Sequence, residues 1–253
     1  MAGYRVRWRS PTFSRPTPSL SISTGARTSW AGRTATTASV AILRRCWAPR
    51  CSCRTIGSRP GTRFPAAVDD TPRFYKGLLD AGRPARSIVF AGESAGGAMT
   101  VTAMVAARNA GLPLPAGGVA ISPWANLEHT GVSMTNRETI DPLNSKAGLV
   151  FLARVFLQGA LAIHPMASPV FADVTGLPPI MVQIGEAELM LTDGMRLASH
   201  LAENRVRMTL EVWPHMFHAW HFVATLQPEA QQAMESASLF LEQCLRKANP
   251  SAG

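Results

Sequence analysis

Gly92-Glu93-Ser94-Ala95-Gly96 matches the pattern G-x-S-x-G. The short apolar run Ser87-Ile88-Val89-Phe90-Ala91 precedes it, and a stretch rich in Ala, Met and Val follows it as far as Arg108. A buried strand running into a tight turn, with a helix leaving that turn, presents the serine hydroxyl at its tip as a nucleophile elbow. Glycines beside the serine let strand and helix close on the turn. The helix N-terminus then offers N–H groups and a positive dipole to a developing negative charge. A serine hydroxyl placed this way attacks a carbonyl carbon only when a base takes its proton and an acid orients the base.

Residues for both roles occur further along. His215, His218 and His221 lie just after Val212-Trp213, and Glu186, Glu188 and Asp193 follow the apolar run Ile180-Met181-Val182-Gln183-Ile184. The order serine, carboxylate, histidine is that of α/β-hydrolases. Residue types alone leave the acid open among Glu188, Glu186 and Asp193. The three-residue spacing of the histidines would suit a metal on a helix, but Pro214 and the loop context oppose a helix there. His129, His164 and His200 read as surface or packing histidines, the methionines after Ser94 as core filling, and Cys244 as a buried small hydrophobe.

These side chains must be carried by a regular framework, and from Phe64 onward the sequence alternates strands with helices. Strands are expected over 87–91, 119–122, 180–184 and 208–212. Phe64–Asp70 is expected to lead into a helix ending near Ala81-Gly82, and further helices are expected after Ser94 to Arg108, over 146–156, 193–204 and 229–246. The strands are short, apolar runs of the kind buried on both faces, so a mostly parallel sheet flanked by helices follows. Residues 125–175 are less regular and are expected to contribute to a pocket wall.

The chain has 253 residues, enough for one sizeable domain. Its net charge of +9 is unevenly distributed. Residues 1–68 hold twelve arginines and no acidic residue, whereas the remaining residues hold 13 Lys and Arg against 16 Asp and Glu. The basic excess belongs to the N-terminal quarter. Residues 1–63, rich in Arg, Ser, Thr and Pro without periodicity, read as a disordered arm, a transit peptide or a basic arm for nucleic acid. The mildly acidic body weighs against nucleic acid as a partner. Cys46, Cys51 and Cys53 lack an evident fourth ligand for a tetrahedral metal site. No apolar run reaches the roughly 18 to 20 residues of a membrane-spanning helix. Four cysteines without paired spacing require no oxidising compartment, so a cytoplasmic location is expected.

Over about residues 64–246 the sequence resembles the bacterial hormone-sensitive-lipase-like esterases of the α/β-hydrolase fold. Phe64-Pro65-Ala66-Ala67-Val68-Asp69-Asp70 is similar to the family segment after Asp-Tyr-Arg-Leu-Ala-Pro. Gly92–Gly97 resembles Gly-Asp-Ser-Ala-Gly-Gly, with Glu93 in place of the aspartate. Gly185-Glu186-Ala187-Glu188 is similar to Gly-x-x-Asp, whose last residue is the acid; some members use glutamate there. Glu211–His221 looks like the family's closing loop. The resemblance therefore implies Ser94 as nucleophile, Glu188 as acid, His218 as base and the Ala95 N–H as an oxyanion donor. It implies an α/β-hydrolase catalytic domain over 64–253, no cofactor, no metal, and a small ester of short to medium acyl length as substrate. A homodimer is left open. The same scaffold also serves non-catalytic small-molecule-binding proteins, which is the second reading.

One family motif is missing. His-Gly-Gly-Gly (or Gly-Ala), whose N–H groups supply most of the oxyanion hole, is absent, and Ser23–Gly32 stands in its place. The Asp-Tyr-Arg-Leu-Ala-Pro stretch is absent too. A shifted reading frame would account for both losses. If Ser23–Gly32 had GC-rich codons, reading them one base earlier could spell His-Gly-Gly-Ala-Tyr-Val-Met-Gly. The same shift lets Cys46–Phe64 end on Asp-Tyr-Arg-Leu-Ala-Pro-Gly-His-Pro-Phe. It also explains the arginine excess, and sequencing the coding DNA tests it. With the N-terminus as written, the early strands are expected to be missing or disordered, and the Ala95 N–H is the oxyanion donor that remains. Loss of one such donor costs about two to three orders of magnitude in rate.

Overall fold

The computed structural model describes residues 20–23, 52–55 and 64–249. Six strands form one parallel sheet: β1 (Leu20–Ser23), β2 (Ser52–Thr55), β3 (Phe90–Glu93), β4 (Gly118–Ile121), β5 (Ile180–Gly185) and β6 (Met208–Trp213). Their spatial order is β2-β1-β3-β4-β5-β6. The register runs straight across, Phe90 beside Gly118, Gly118 beside Ile180 and Ile180 beside Met208. The carboxyl ends of β3 to β6 therefore line up along one rim.

Alternation of side chains assigns each strand residue to a face. Phe90, Ala120, Ile180 and Val182 join one core with Tyr75 of α1 (Ala66–Asp80), Val101 and Met104 of α2 (Ala95–Asn109), and Leu197 and Leu201 of α5 (Leu191–Glu203). Val89, Ala91, Val119, Ile121 and Met181 join a second core with Phe240, Leu241 and Cys244 of α6 (Pro228–Ala248). β5 is buried at every residue, whereas β6, at an edge among the described residues, alternates between partial burial and exposure. Doubly covered strands need apolar residues throughout, which is why the interior strands read as continuous runs. Over the rim, Trp124, Leu189 and Met190 pack with the inward residues Leu149, Ala153 and Leu157 of α4 (Lys146–Leu157), beside the single helical turn α3 (Ser133–Asn136).

The expected α/β-hydrolase architecture, a parallel sheet flanked by helices, is the one observed. The strand expected over 87–91 begins later, because Ala85–Ser87 forms a 3-10 turn; Ile88 and Val89 are buried on the approach to β3. Within residues 1–63, where early strands were expected to be missing or disordered, the structure describes β1 and β2. Each has four residues, too few for a periodic signal. The expectations for the rest of that segment, including Cys46 and Cys51, fall outside the described residues, as does the side chain of Cys53.

Candidate active site

The site is built on the rim where β3, β4, β5 and β6 end. Ser94 occupies the turn between β3 and α2 with φ 53° and ψ −121°, a conformation costly for a residue bearing a Cβ. Neighbouring backbone holds it there. The Ser94 N–H donates to the Ile121 carbonyl (2.9 Å), and the Ser94 carbonyl accepts from Ala98 (3.1 Å) and Trp124 (3.0 Å). The close approach of the elbow to β4 requires glycine at 97, where a Cβ would stand 2.8 Å from the Ile121 carbonyl oxygen and 3.0 Å from Pro123 Cα. Ala95 opens α2, and the first N–H groups of a helix have no acceptor within it. The helix start beside Ser94 is thus a place where an oxyanion can be received.

Glu188, in the turn between β5 and α5, is fully buried. Its Oε2 lies 2.9 Å from His218 Nδ1. Its Oε1 accepts from the Gly185 N–H (2.6 Å) and from the Ser122 hydroxyl (2.7 Å). The carboxylate is therefore oriented and matched on both oxygens. A hydrogen on Nδ1 donated to Glu188 leaves Nε2 of His218 as the acceptor, the tautomer a general base needs. Burial draws the His218 imidazole down, but the hydrogen bond and charge of Glu188, helped by Glu93 and Asp141, outweigh it and hold the pKa above the ordinary histidine value.

The other carboxylates are engaged elsewhere. Glu186 pairs with Arg137 at 2.7 Å on the partly exposed rim. Asp193, in the first turn of α5, is buried and accepts from the Asn126 N–H at 3.3 Å. Of the three acids that the residue types left open, Glu188 is the one that reaches His218. Asp141 steadies this loop: its Oδ2 accepts from the Leu189 N–H at 3.0 Å while its Oδ1 accepts from Leu143 and Asn144.

The three histidines after β6 do not converge. His215 is exposed, with φ 61°. His218 meets Glu188. His221 is buried with Nε2 3.0 Å from Gln183 Oε1. The Gln183 amide nitrogen donates to Glu211 Oε2 and to the Ala233 carbonyl, so its oxygen is the acceptor and His221 Nε2 carries the proton. Burial, with the charge of His218 adding to it, pushes the His221 pKa down to about 3, so this ring stays neutral. It ties the segment after His218 to β5. Among the described residues no three His, Cys, Asp or Glu side chains gather as a metal site.

The residue types gave no signal for two features. Ser122, at the carboxyl end of β4, is fully buried with φ 43°. Besides donating to Glu188, its oxygen accepts the Ala219 N–H at 3.0 Å. Glu93, immediately before Ser94, interacts electrostatically with His218. The available clue to Ser122 was positional: sites of parallel α/β sheets collect at the carboxyl ends of strands, and Ser122 follows β4 as Ser94 follows β3.

Fold and rim geometry together describe a protein of the α/β-hydrolase type. The model of the alpha/beta hydrolase fold family matches residues 56–222, more than half of the chain, and the chain belongs to that family. It is 42% identical over 182 residues to an acetyl-hydrolase of Streptomyces hygroscopicus, a match covering 72% of this chain and 61% of that protein. It is 30% identical to the putative acetyl-hydrolase LipR of Mycobacterium tuberculosis, covering 69% and 56%. A solved esterase from the bacterial hormone-sensitive lipase family superimposes with a TM-score of 0.82 at 36% identity, covering 92% of this chain and 78% of its own. The chain thus spans only 56% to 61% of the length of these two curated relatives. No helix among the described residues is long and apolar enough to cross a membrane.

Proposed function

We propose that the protein is a serine carboxylesterase acting on short- to medium-chain acyl esters through Ser94, His218 and Glu188. The observation that carries this reading is the 2.9 Å contact between Glu188 Oε2 and His218 Nδ1, on the same rim as a strained serine elbow. His218 Nε2 takes the Ser94 proton as Oγ attacks the ester carbonyl, and the carbonyl oxygen takes up the negative charge. The Ala95 N–H receives that oxyanion at the positive end of α2. His218, held as imidazolium by Glu188, returns the proton to the leaving alcohol, and a serine acyl ester remains. Water activated by His218 then releases the acid and restores the enzyme. The acetyl-hydrolase and esterase names of the relatives support ester chemistry with small acyl groups.

The absent His-Gly-Gly motif favours a second reading, a binding protein on the same scaffold. Hydrolysis of p-nitrophenyl butyrate by the chain and by Ser94→Ala decides between them. Turnover is expected to fall by at least about 10³-fold in the variant. No turnover by the unmodified chain supports the binding reading, and turnover unaltered by the substitution removes Ser94 from its role.

A further inference from the structure

The Ser122 side chain touches both the acid and the segment carrying the base. Its hydroxyl hydrogen goes to Glu188 Oε1 (2.7 Å), and its oxygen takes the N–H of Ala219 (3.0 Å), the residue directly after His218. Both ends of this bridge are buried. The backbone at this point is unfavourable for serine: φ is 43° at Ser122 and 55° at Ala219, both in the left-handed region. Glycine or asparagine is the usual solution for such a backbone. A strained, fully buried, non-glycine residue at a strand end persists where the surroundings impose it, and here those surroundings are the acid and the base loop. The Ser122 N–H is itself fixed to the Gln183 carbonyl at 2.7 Å, so the hydroxyl is anchored to β5 as well as β4.

We propose that Ser122 is a positioning residue for ester hydrolysis, resting on the esterase reading above. It sets the angle between the Glu188 carboxylate and the His218 ring, and it draws part of the carboxylate's charge away from the imidazole. Without the hydroxyl, Glu188 keeps one backbone donor, Gly185, and directs more of its charge at His218. The other ionisable groups acting on His218 are Glu93 at the end of β3 and Asp141 from the loop before α4, with His221 on its own segment. None of these is altered by changes at 122.

The test compares Ser122→Gly, which accepts the backbone angle and removes the hydroxyl, with Ser122→Ala, which removes only the hydroxyl. In both, kcat for p-nitrophenyl butyrate is expected to fall about 10- to 100-fold with KM within about twofold. The acid limb of the pH profile moves upward, because the stronger Glu188 charge favours imidazolium. The His218 imidazole proton resonance, assigned by its absence from His218→Gln, is titrated in parallel and moves the same way in a chain that turns over no ester. Loss of Tm with an unmoved His218 titration makes Ser122 a merely structural residue and overturns the proposal, as does unaltered kcat. Failure of the esterase reading is seen separately, as absence of Ser94-dependent turnover in the unmodified protein.

Discussion

The carboxyl group of Glu93 and the imidazole of His218 sit close enough to feel each other's charge, although one ends β3 and the other follows β6. Burial lifts the Glu93 carboxyl to about 7, with the His218 charge pulling against it, and Glu93 in turn raises His218. The residue before the nucleophile thus titrates near neutrality beside the base. Glu93→Gln keeps the shape and removes the charge. The His218 pKa is expected to drop, and the acid limb of the kcat/KM profile to move down by about half a pH unit. An unmoved limb would deny Glu93 any hold on the base.

The choice of acid is testable by a matched pair. Glu188→Gln preserves volume but cannot orient a neutral His218 in the working tautomer, and kcat is expected to fall by about 10³- to 10⁴-fold. Glu186→Gln breaks only a partly exposed pair with Arg137 and is expected to stay within about threefold of the parent. Steady-state kinetics on a single ester reads both, and a reversal of the two effects transfers the role to Glu186.

Asp193 couples stability to pH. Burial raises its pKa to about 8 from an ordinary 3.8, partly opposed by the Asn126 N–H and the Arg196 charge. The folded protein holds a proton there that the unfolded chain releases above pH 4, so stability declines as pH rises from about 4 to 8. Asp193→Asn removes this term. Its Tm is expected to exceed the parent's by about 3 °C or more at pH 8.5 relative to the difference at pH 5. Calorimetry at the two pH values checks this, and parallel curves would refute it.

Gly185 is the point where the base loop leans on β5. A Cβ there would stand 2.3 Å from the Met216 carbonyl oxygen and 3.0 Å from Glu188 Oε1. Neither a main-chain atom nor a buried, fully bonded carboxylate has room to move. Gly185→Ala is expected to lower stability by about 2 kcal/mol, read as a Tm loss of about 4 to 8 °C. Displacement of the loop is expected to cut kcat about 100-fold. Near-parental values would show that the loop yields freely.

Much of this architecture was legible because it is local. The apolar runs at 180–184 and 208–212 became β5 and β6, and the small residues around Ser94 became the elbow. The candidate acid and base were legible as residue types in order, yet choosing Glu188 over Glu186 and Asp193 needed either a resemblance or coordinates. Ser122 was illegible for a physical reason: its partners lie on other strands' loops, and a serine after a short strand carries no periodic signal. The electrostatic influence of Glu93 on His218 and the bracing of Leu189 by Asp141 are likewise products of strand order.

Ser94, Ser122 and Ala219, none of them glycine, each carry a positive φ natural to glycine. An engineer seeking heat tolerance therefore has an address. Of the three, Ala219 contributes no side-chain hydrogen bond, so glycine there relieves the twist and spares the hydroxyl groups on either side. The same exchange at the other two positions removes the very oxygen atoms that the contorted backbone exists to present.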